Sequence, residues 1–360
     1  MEKTKLCIIF GGASSEHEVS CMSAASVIKN VDKSKYEMRF LGILKDGRQF
    51  LYVGDIEKIA DASFAEDSDN LIPAVISPCP AHHGLMVLNK KEGTFKVEKI
   101  DCFFPVVHGE NCEDGNLQGL LTLSGVPFVG SDNRGSAVSM DKAITKTILA
   151  TENIPMANWR LFRKDEYSSS DIIWCEENLG YPMFVKPAGT GSSVGVSKVR
   201  DREELKIAVE NAVKYDDKVL VEEYIKGAEI ETAVLDVVEN GKRATLVSRP
   251  GELEVGSEFY DYDTKYVNDT TTYHLPARLD KVTMEEVRRL AVKIFRKLDC
   301  EGLSRVDFFV GEKGIIFNEI NTLPGFTKIS MYPKLMAEYG IGYTELIDKL
   351  VEYALVKFEN

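Results

Sequence analysis

Residues 305–321 read RVDFFVGEKGIIFNEIN, two apolar arms folded over a short turn, with an acid inside each arm. Side chains alternate faces along a strand, so Arg305, Asp307 and Phe309 share one face of the first arm. Ile315, Phe317, Glu319 and Asn321 share one face of the second. A three-residue loop, with Glu312 and Lys313 in a type I turn and Gly314 left-handed, pairs 311 with 315. That register sets Asp307 opposite Glu319 and Arg305 opposite Asn321. Two carboxylates so placed repel by roughly 4 kcal/mol at about 4 Å and an effective dielectric near 20, so the pair calls for a cation. An all-oxygen set of Asp, Glu and Asn suits Mg²⁺, which keeps waters and bridges carboxylates to substrate phosphates. A four-residue loop would instead shift the register by one and send the two acids to opposite faces.

The whole chain has room for such a site. Its 360 residues suggest two or three domains, with 44% hydrophobic and 28% charged residues as in ordinary globular proteins. A net charge of −13 disfavours nucleic acid as a partner, because phosphate neutralisation needs clustered Lys and Arg. Seven scattered cysteines, with no C-x-x-C pair, read as reduced thiols. No run is long enough to span a bilayer, and MEKTKLCIIFGG opens on a strand rather than a signal peptide, which together lead to an expectation of a cytoplasmic protein with no membrane partner.

KLCIIFGG, a buried-strand run ending in Gly11 and Gly12, precedes a helical stretch in which Ser15 and Glu18 have capping-box spacing. Strand, tight turn and helix open a doubly wound α/β domain, whose ligands gather beyond the carboxyl ends of the strands, where Glu16 stands. Residues 46–100 read only as an insertion or sheet edge. Boundaries at the Gly/Ser/Asn-rich stretch 130–136 and near 225 divide the chain into 1–130, 131–225 and 226–360. YPMFVKPAGTGSSVGVSKV (181–199) is strand, Gly/Ser loop, strand; it matches neither G-x-x-x-x-G-K-[ST] nor G-x-G-x-x-G, yet a glycine-rich hairpin can cover phosphates with backbone N–H groups. EFYDYDTKYVNDTTTYHLPARL (258–279) reads as a lid loop, and a helix is expected from about 282 to 299.

Singly, each feature has a plain structural explanation: Lys142 and Lys186 as surface lysines, Arg305 as a sheet-edge charge, Glu16 as a first-turn acid. Together Lys142, Lys186, Lys265, the loop 189–195, Asp307, Glu319, Asn321 and Glu229 supply the residue types that a nucleoside triphosphate and its metal require. The ordered set FGGASSEHEVS, HGENCEDGNLQG, SMDK, FVKPAGTGSSVGVSKV, VEEYIKGAE, FYDYDTKY, SRVDFF and NEINTLPGFTKIS resembles, almost end to end, the ATP-grasp carboxylate-amine ligases, and closely the D-alanine–D-alanine ligase family.

That resemblance implies an ATP-grasp fold, α/β, with the doubly wound N-terminal domain followed by two α+β domains that enclose the nucleotide. It implies phosphorylation of one D-alanine by ATP, then attack by the amine of a second, and a soluble homodimer serving peptidoglycan synthesis. By the family pattern Glu16 holds the first ammonium and joins Ser192 and Tyr266 in a hydrogen-bonded set. Arg305 and the N–H of Gly325 stabilise the oxyanion. His108, Glu113, Tyr260 and Ser330 line the amino-acid sites. Lys142, Lys186, Ser193, Glu222, Glu223, Ile225, Glu229 and Lys265 hold ATP, and Asp307, Glu319 and Asn321 hold two Mg²⁺ ions, replaceable by Mn²⁺. The Lys265-Tyr266 pair favours a peptide over a depsipeptide product. Joining D-alanine to D-serine is the alternative within the family, one hydroxyl being worth about 1–3 kcal/mol of pocket contacts, and Lys328-Ile329 depart from the Ser-His of some members. A different ATP-grasp ligase is disfavoured by the segment carrying Glu16, and a nucleotide-binding regulator without turnover by the intact Arg305, Asp307, Glu319 and Asn321 set.

Overall fold

The structure is a computed structural model and describes residues 3–254 and 272–358. Its first sheet contains β1 (Thr4–Gly11), β2 (Tyr36–Ile43), β3 (Gln49–Tyr52), β4 (Leu71–Ile76), β5 (Gly84–Asn89), β6 (Thr94–Lys99) and β7 (Cys102–Pro105), in the order β6-β5-β4-β3-β2-β1-β7. Only β2, β1 and β7 pair in parallel. Leu6 through Phe10 are wholly buried, as an unbroken apolar run requires of a strand covered on both faces. The doubly wound pattern is thus confined to this core. Residues 49–99 extend it as an antiparallel meander, which explains why that stretch carried no helical periodicity.

The second sheet, antiparallel throughout, holds β8 (Trp159–Arg163), β9 (Met183–Pro187), β10 (Ser197–Val199) and β11 (Lys218–Glu223) in the order β10-β9-β11-β8. The Gly/Ser loop joins β9 to β10, strand to strand as expected. In the third, β12 (Ala228–Glu239), β13 (Lys242–Val247), β14 (Gly251–Glu254), β15 (Thr272–His274), β16 (Leu303–Gly311) and β17 (Gly314–Asn321) lie in the order β15-β14-β12-β16-β17, with β13 also on β12. The helix Lys281–Lys297 covers it with Val287, Leu290, Ala291, Ile294 and Phe295, a 3.6-residue repeat, and Asp280 caps it by accepting from the N–H groups of Val282 and Thr283.

The chain's last two helices do more than close the third sheet. Tyr332, Leu335, Leu346 and Leu350 belong to one buried cluster with Leu6, Ile8 and Phe104 of the first sheet and Leu235 of β12. The segment 322–330, which leads into the helix Met331–Tyr339, is therefore clamped between first and third sheets. That clamp sets the site.

In the hairpin of β16 and β17, Asp307 does face Glu319 and Arg305 faces Asn321, but by a different route. Gly314 has φ +84° yet pairs with Gly311, so the loop holds two residues, not three. A bulge between Asp307 and Phe308 restores the register by accommodating Asn318 as an extra residue. Bulges re-aim side chains beside functional sites, and this one brings Asn318 to the cleft wall next to Glu319.

Candidate active site

Two cavities, of about 140 and 420 Å³, share Lys142, Thr190, Gly191, Ser192, Leu253 and Glu319 as a common wall. The smaller one is also lined by Glu16, His108, Glu113, Arg305, Gly325 and Ser330, and the larger one by Lys186, Ser193, Glu222, Ile225, Glu229 and Asn318. Two groups that the sequence assigned to different substrates are thus physically separated, and the segment between them is shared.

The smaller cavity is assembled from distant segments. Glu16 precedes the helix His17–Asn30 and makes no side-chain cap bond there; Glu18 pairs instead with Lys45, so the expected Ser15–Glu18 capping box does not form. The helix starts one residue later than that box requires, with Glu16 rather than Ser15 at the cap, which leaves Glu16 directed into the cleft. There its carboxylate accepts from the Ser192 hydroxyl. A Cβ on Gly191 or Gly109 would stand 3.0 or 2.8 Å from the same carboxylate, so both glycines are needed for the approach.

Behind Glu16, Glu113 accepts from Gly109 N–H at 2.7 Å. Burial, helped by the charge of Glu16, pushes its carboxyl up to about 8. Burial lowers the His108 imidazole despite Glu16, and its Nδ1 lies 3.0 Å from Leu323 O. With a neutral ring this contact is a donation from Nδ1–H, which ties β7's exit to segment 322–330. In that segment the Ser330 hydroxyl accepts from Thr327 N–H at 3.0 Å and stands 2.8 Å from where a Cβ on Gly325 would lie.

Arg305 is enclosed by acids. It forms two bonds with Asp307, at 2.8 and 2.7 Å, and lies 3.1 Å from Glu231 of β12. Burial works against its charge, but Asp307, Glu231 and Glu319 outweigh burial and hold the guanidinium firmly protonated. The cation demanded by the facing acids is therefore, in the first place, Arg305. Glu231 was not found from the sequence; as the register partner of Asp307 on the neighbouring strand, it could be recognised only once the strand order was known.

The larger cavity rests on β9, β11 and the helix Lys142–Ala150. Glu222 lies between two ammonium groups, Lys186 Nζ at 2.7 Å and Lys146 Nζ at 3.0 Å. Burial opposes its charge, yet the two lysines drive its carboxyl down to about 2. Burial also tends to neutralise Lys186, but Glu222, with Glu319 and Glu229, raises it overall. Lys142 opens its helix, where a cation opposes the helix dipole, and donates to Thr190 O at 2.7 Å. Ser192 and Ser193 both take positive φ at the tip of the glycine loop, a conformation costly for residues with a Cβ and typical of ligand-covering turns.

The carboxylate of Glu223 takes the Asn158 N–H at 2.8 Å and pairs with Lys313, so although Glu223 borders the cavity its acid group is engaged elsewhere. Ile225 contributes apolar wall with Phe184, Tyr224 and Phe309. Tyr260, Lys265 and Tyr266, with most of the segment read as a lid, lie outside the described residues.

The family described as D-ala D-ala ligase N-terminus matches residues 5–131, and the one described as D-ala D-ala ligase C-terminus matches residues 148–352. The chain is 45% identical to the D-alanine–D-alanine ligase of Caldicellulosiruptor bescii, over 99% of this chain and 96% of that one. It is 48% identical to the D-alanine–D-alanine ligase of Ruminiclostridium cellulolyticum, over 100% and 97%. Among solved structures, the VanG D-Ala:D-Ser ligase of Enterococcus faecalis superposes with a TM-score of 0.87 at 38% identity, covering 98% of this chain and all of that one. The D-alanine-D-alanine ligase of Coxiella burnetii gives 0.84 at 33% identity, covering 99% and 96%. With both halves matched and relatives this similar along its whole length, the chain belongs to the D-alanine–D-alanine ligase family, ATP-dependent ligases of the ATP-grasp fold.

Proposed function

We propose that the smaller cavity takes D-alanine and the larger one ATP, and that the chain joins two D-alanine molecules through a D-alanyl phosphate. The observation that carries this reading is the shared wall: Lys142, Ser192 and Glu319 border both cavities, where a phosphoryl group would pass from nucleotide to carboxylate. Glu16 receives the ammonium of the first D-alanine. Lys142 and Lys186 receive phosphate oxygens, the loop 189–195 covers them, Ile225 borders the base, and Glu229 is placed for the ribose hydroxyls. Attack by the second amine gives a tetrahedral oxyanion, which Arg305 and the Gly325 N–H stabilise before phosphate leaves. Burying the acyl phosphate protects it from water. Ser330 borders the second substrate, and the parts assigned to Tyr260, Lys265 and Tyr266 stand on the sequence.

Asp307, Glu319 and Asn321 fit Mg²⁺ chemically. All three offer hard oxygen and the two acids stand in register; Glu319 and Asn321 line the smaller cavity, while Asp307 is held by Arg305 and by Asn321 Nδ2 at 3.1 Å, so an ion there would take over contacts that Arg305 now makes. Two carboxylates and an amide suit an ion that completes its shell with water and phosphate; among the described residues no group of three or more His, Cys, Asp or Glu forms a self-sufficient metal cage. When bound there, Mg²⁺ would neutralise charge on the transferring phosphoryl group. A cytoplasmic homodimer with the domain limits 1–130, 131–225 and 226–360 completes the proposal; light scattering and limited proteolysis would test the last two.

D-alanine is favoured over D-serine as the second substrate because the D-alanine–D-alanine ligases of Caldicellulosiruptor bescii and Ruminiclostridium cellulolyticum reach 45–48% identity, against 38% for the D-Ala:D-Ser ligase. The experiment is Mg²⁺-dependent phosphate release from ATP with D-alanine alone and with added D-serine or D-lactate, with products identified by mass. D-alanyl-D-alanine as the main product is expected. Release that depends on D-serine would overturn the substrate, and no release with any pair would overturn the reaction.

A further inference from the structure

Lys146 has no part in the chemistry above, yet it is a lysine with only 2% of its side chain exposed, at the base of the larger cavity. Burying an ammonium group is costly unless it is paired, so its presence there requires a reason. It lies one helical turn after Lys142, and this i, i+4 spacing stacks both lysines on the face turned toward the cavity. Its Nζ meets Glu222 Oε1 at 3.0 Å, while Lys186 Nζ meets Oε2 of the same carboxylate at 2.7 Å.

Burial lowers the Lys146 ammonium while Glu222 supports it, and with both lysines protonated the shared carboxylate leaves one net positive charge among the three. Without Lys146, Glu222 and Lys186 would form a neutral pair and the phosphate side of the cavity would lose that excess. We propose that Lys146 is a positioning residue of the nucleotide site: by taking half of Glu222, it keeps the charge of Lys186 available to the nucleotide's phosphates. The inference rests on the nucleotide reading of this cavity. It makes the contribution of Lys146 electrostatic and specific to the phosphates, because a residue so buried beneath Glu222 acts on the ligand through charge rather than through the adenine wall of Phe184, Tyr224 and Phe309.

The test compares dissociation constants for ATP and adenosine, measured by calorimetry on the full chain, and reads their ratio. Lys146→Met should weaken ATP about tenfold, the effect of one unit charge acting through a medium of intermediate dielectric, while leaving adenosine within about twofold. Lys146→Arg should retain the wild-type ratio. Lys146→Met combined with Glu222→Gln removes both partners, leaves Lys186 uncompensated and should bring the ratio back toward wild type, whatever its effect on adenosine itself. Lys146→Met by itself keeps the Glu222–Lys186 ion pair, so it leaves no buried carboxylate without a partner and should still fold.

A ratio unchanged in Lys146→Met, with only a lower unfolding temperature, would overturn the proposal in favour of a purely structural ion pair. Equal weakening of ATP and adenosine would overturn it in favour of shaping the adenine wall. Failure of the wild-type chain to bind ATP would instead overturn the nucleotide reading, which separates the two ideas.

Discussion

Glu222 and Glu113 are both buried glutamates, one at the base of each cavity, and they titrate in opposite directions. Burial pushes both up. Glu222 is nevertheless held down to about 2 by Lys146 and Lys186, whereas Glu113, facing the acid Glu16 rather than a lysine, rises to about 8. Depth thus decides how strongly a neighbour is felt, and the sign of that neighbour decides the protonation state. The nucleotide side keeps a fixed anion to organise cations. The smaller cavity keeps a protonated carboxyl beside Glu16.

The largest effect expected from disturbing these sites lies on their common wall. Glu319→Gln should fold normally and lose about a hundredfold or more in kcat, since charge neutralisation at a transferring phosphoryl group is worth several kcal/mol. Steady-state phosphate release checks this, and near-normal turnover would remove Glu319 from the metal set.

Next comes Glu222→Gln, which leaves two buried ammonium groups without their counterion. Breaking a buried pair in this way costs about 3–5 kcal/mol, so the unfolding midpoint should fall by several degrees and ATP affinity should change with it. Calorimetry checks both. If stability were unaffected, Glu222 would not be the hub that its two short ion pairs indicate.

Gly325→Ala is expected to act locally. Its Cβ would come within 2.8 Å of Ser330 Oγ, which must then release Thr327 N–H or move the turn. A fall of about tenfold in kcat with an unchanged KM for ATP is expected, because oxyanion stabilisation enters only the transition state.

Glu113→Gln should have the smallest effect and the most informative pH dependence. Folding raises this carboxyl from 4.5 to about 8, so the proton is held more tightly in the folded chain. The contribution is intact below the unfolded value and is lost as pH rises through about 8. Gln mimics the protonated acid and can still accept from Gly109. Thermal unfolding at pH 4 and pH 9 should show little difference from the wild type at the lower pH and an advantage for the variant at the higher. An equal gap at both values would mean that Glu113 does not titrate in this range.

Much of the nucleotide side was legible in the sequence because strands and helices carry it. A strand running into the Gly/Ser loop carried Lys186, alternation set Glu319 and Asn321 on one face of β17, and the Gly/Ser run marked the loop that lines the larger cavity. Lys146 was equally visible at i+4 from Lys142, but a lone lysine on a helix carries no sign of burial. The amino-acid side was less legible. Glu16, His108 and Arg305 come from segments far apart in the chain, and only resemblance to a family joined them.

By itself the sequence determined the elements and the residue types: an opening strand buried on both faces, a glycine loop between strands, and an acid in each arm of the hairpin. These follow from periodicity and backbone chemistry over a few neighbouring residues. The tertiary structure decided three further things. It corrected the hairpin's count, where a shorter turn and a bulge at Asn318 cancel, since register is set by the sum of all local irregularities. It supplied Glu231 as a neighbour of Asp307 and Arg305, because strand order rather than strand sequence makes residues on different strands neighbours. And it decided the charge of each buried acid, which depends on what lies within a few ångströms in space.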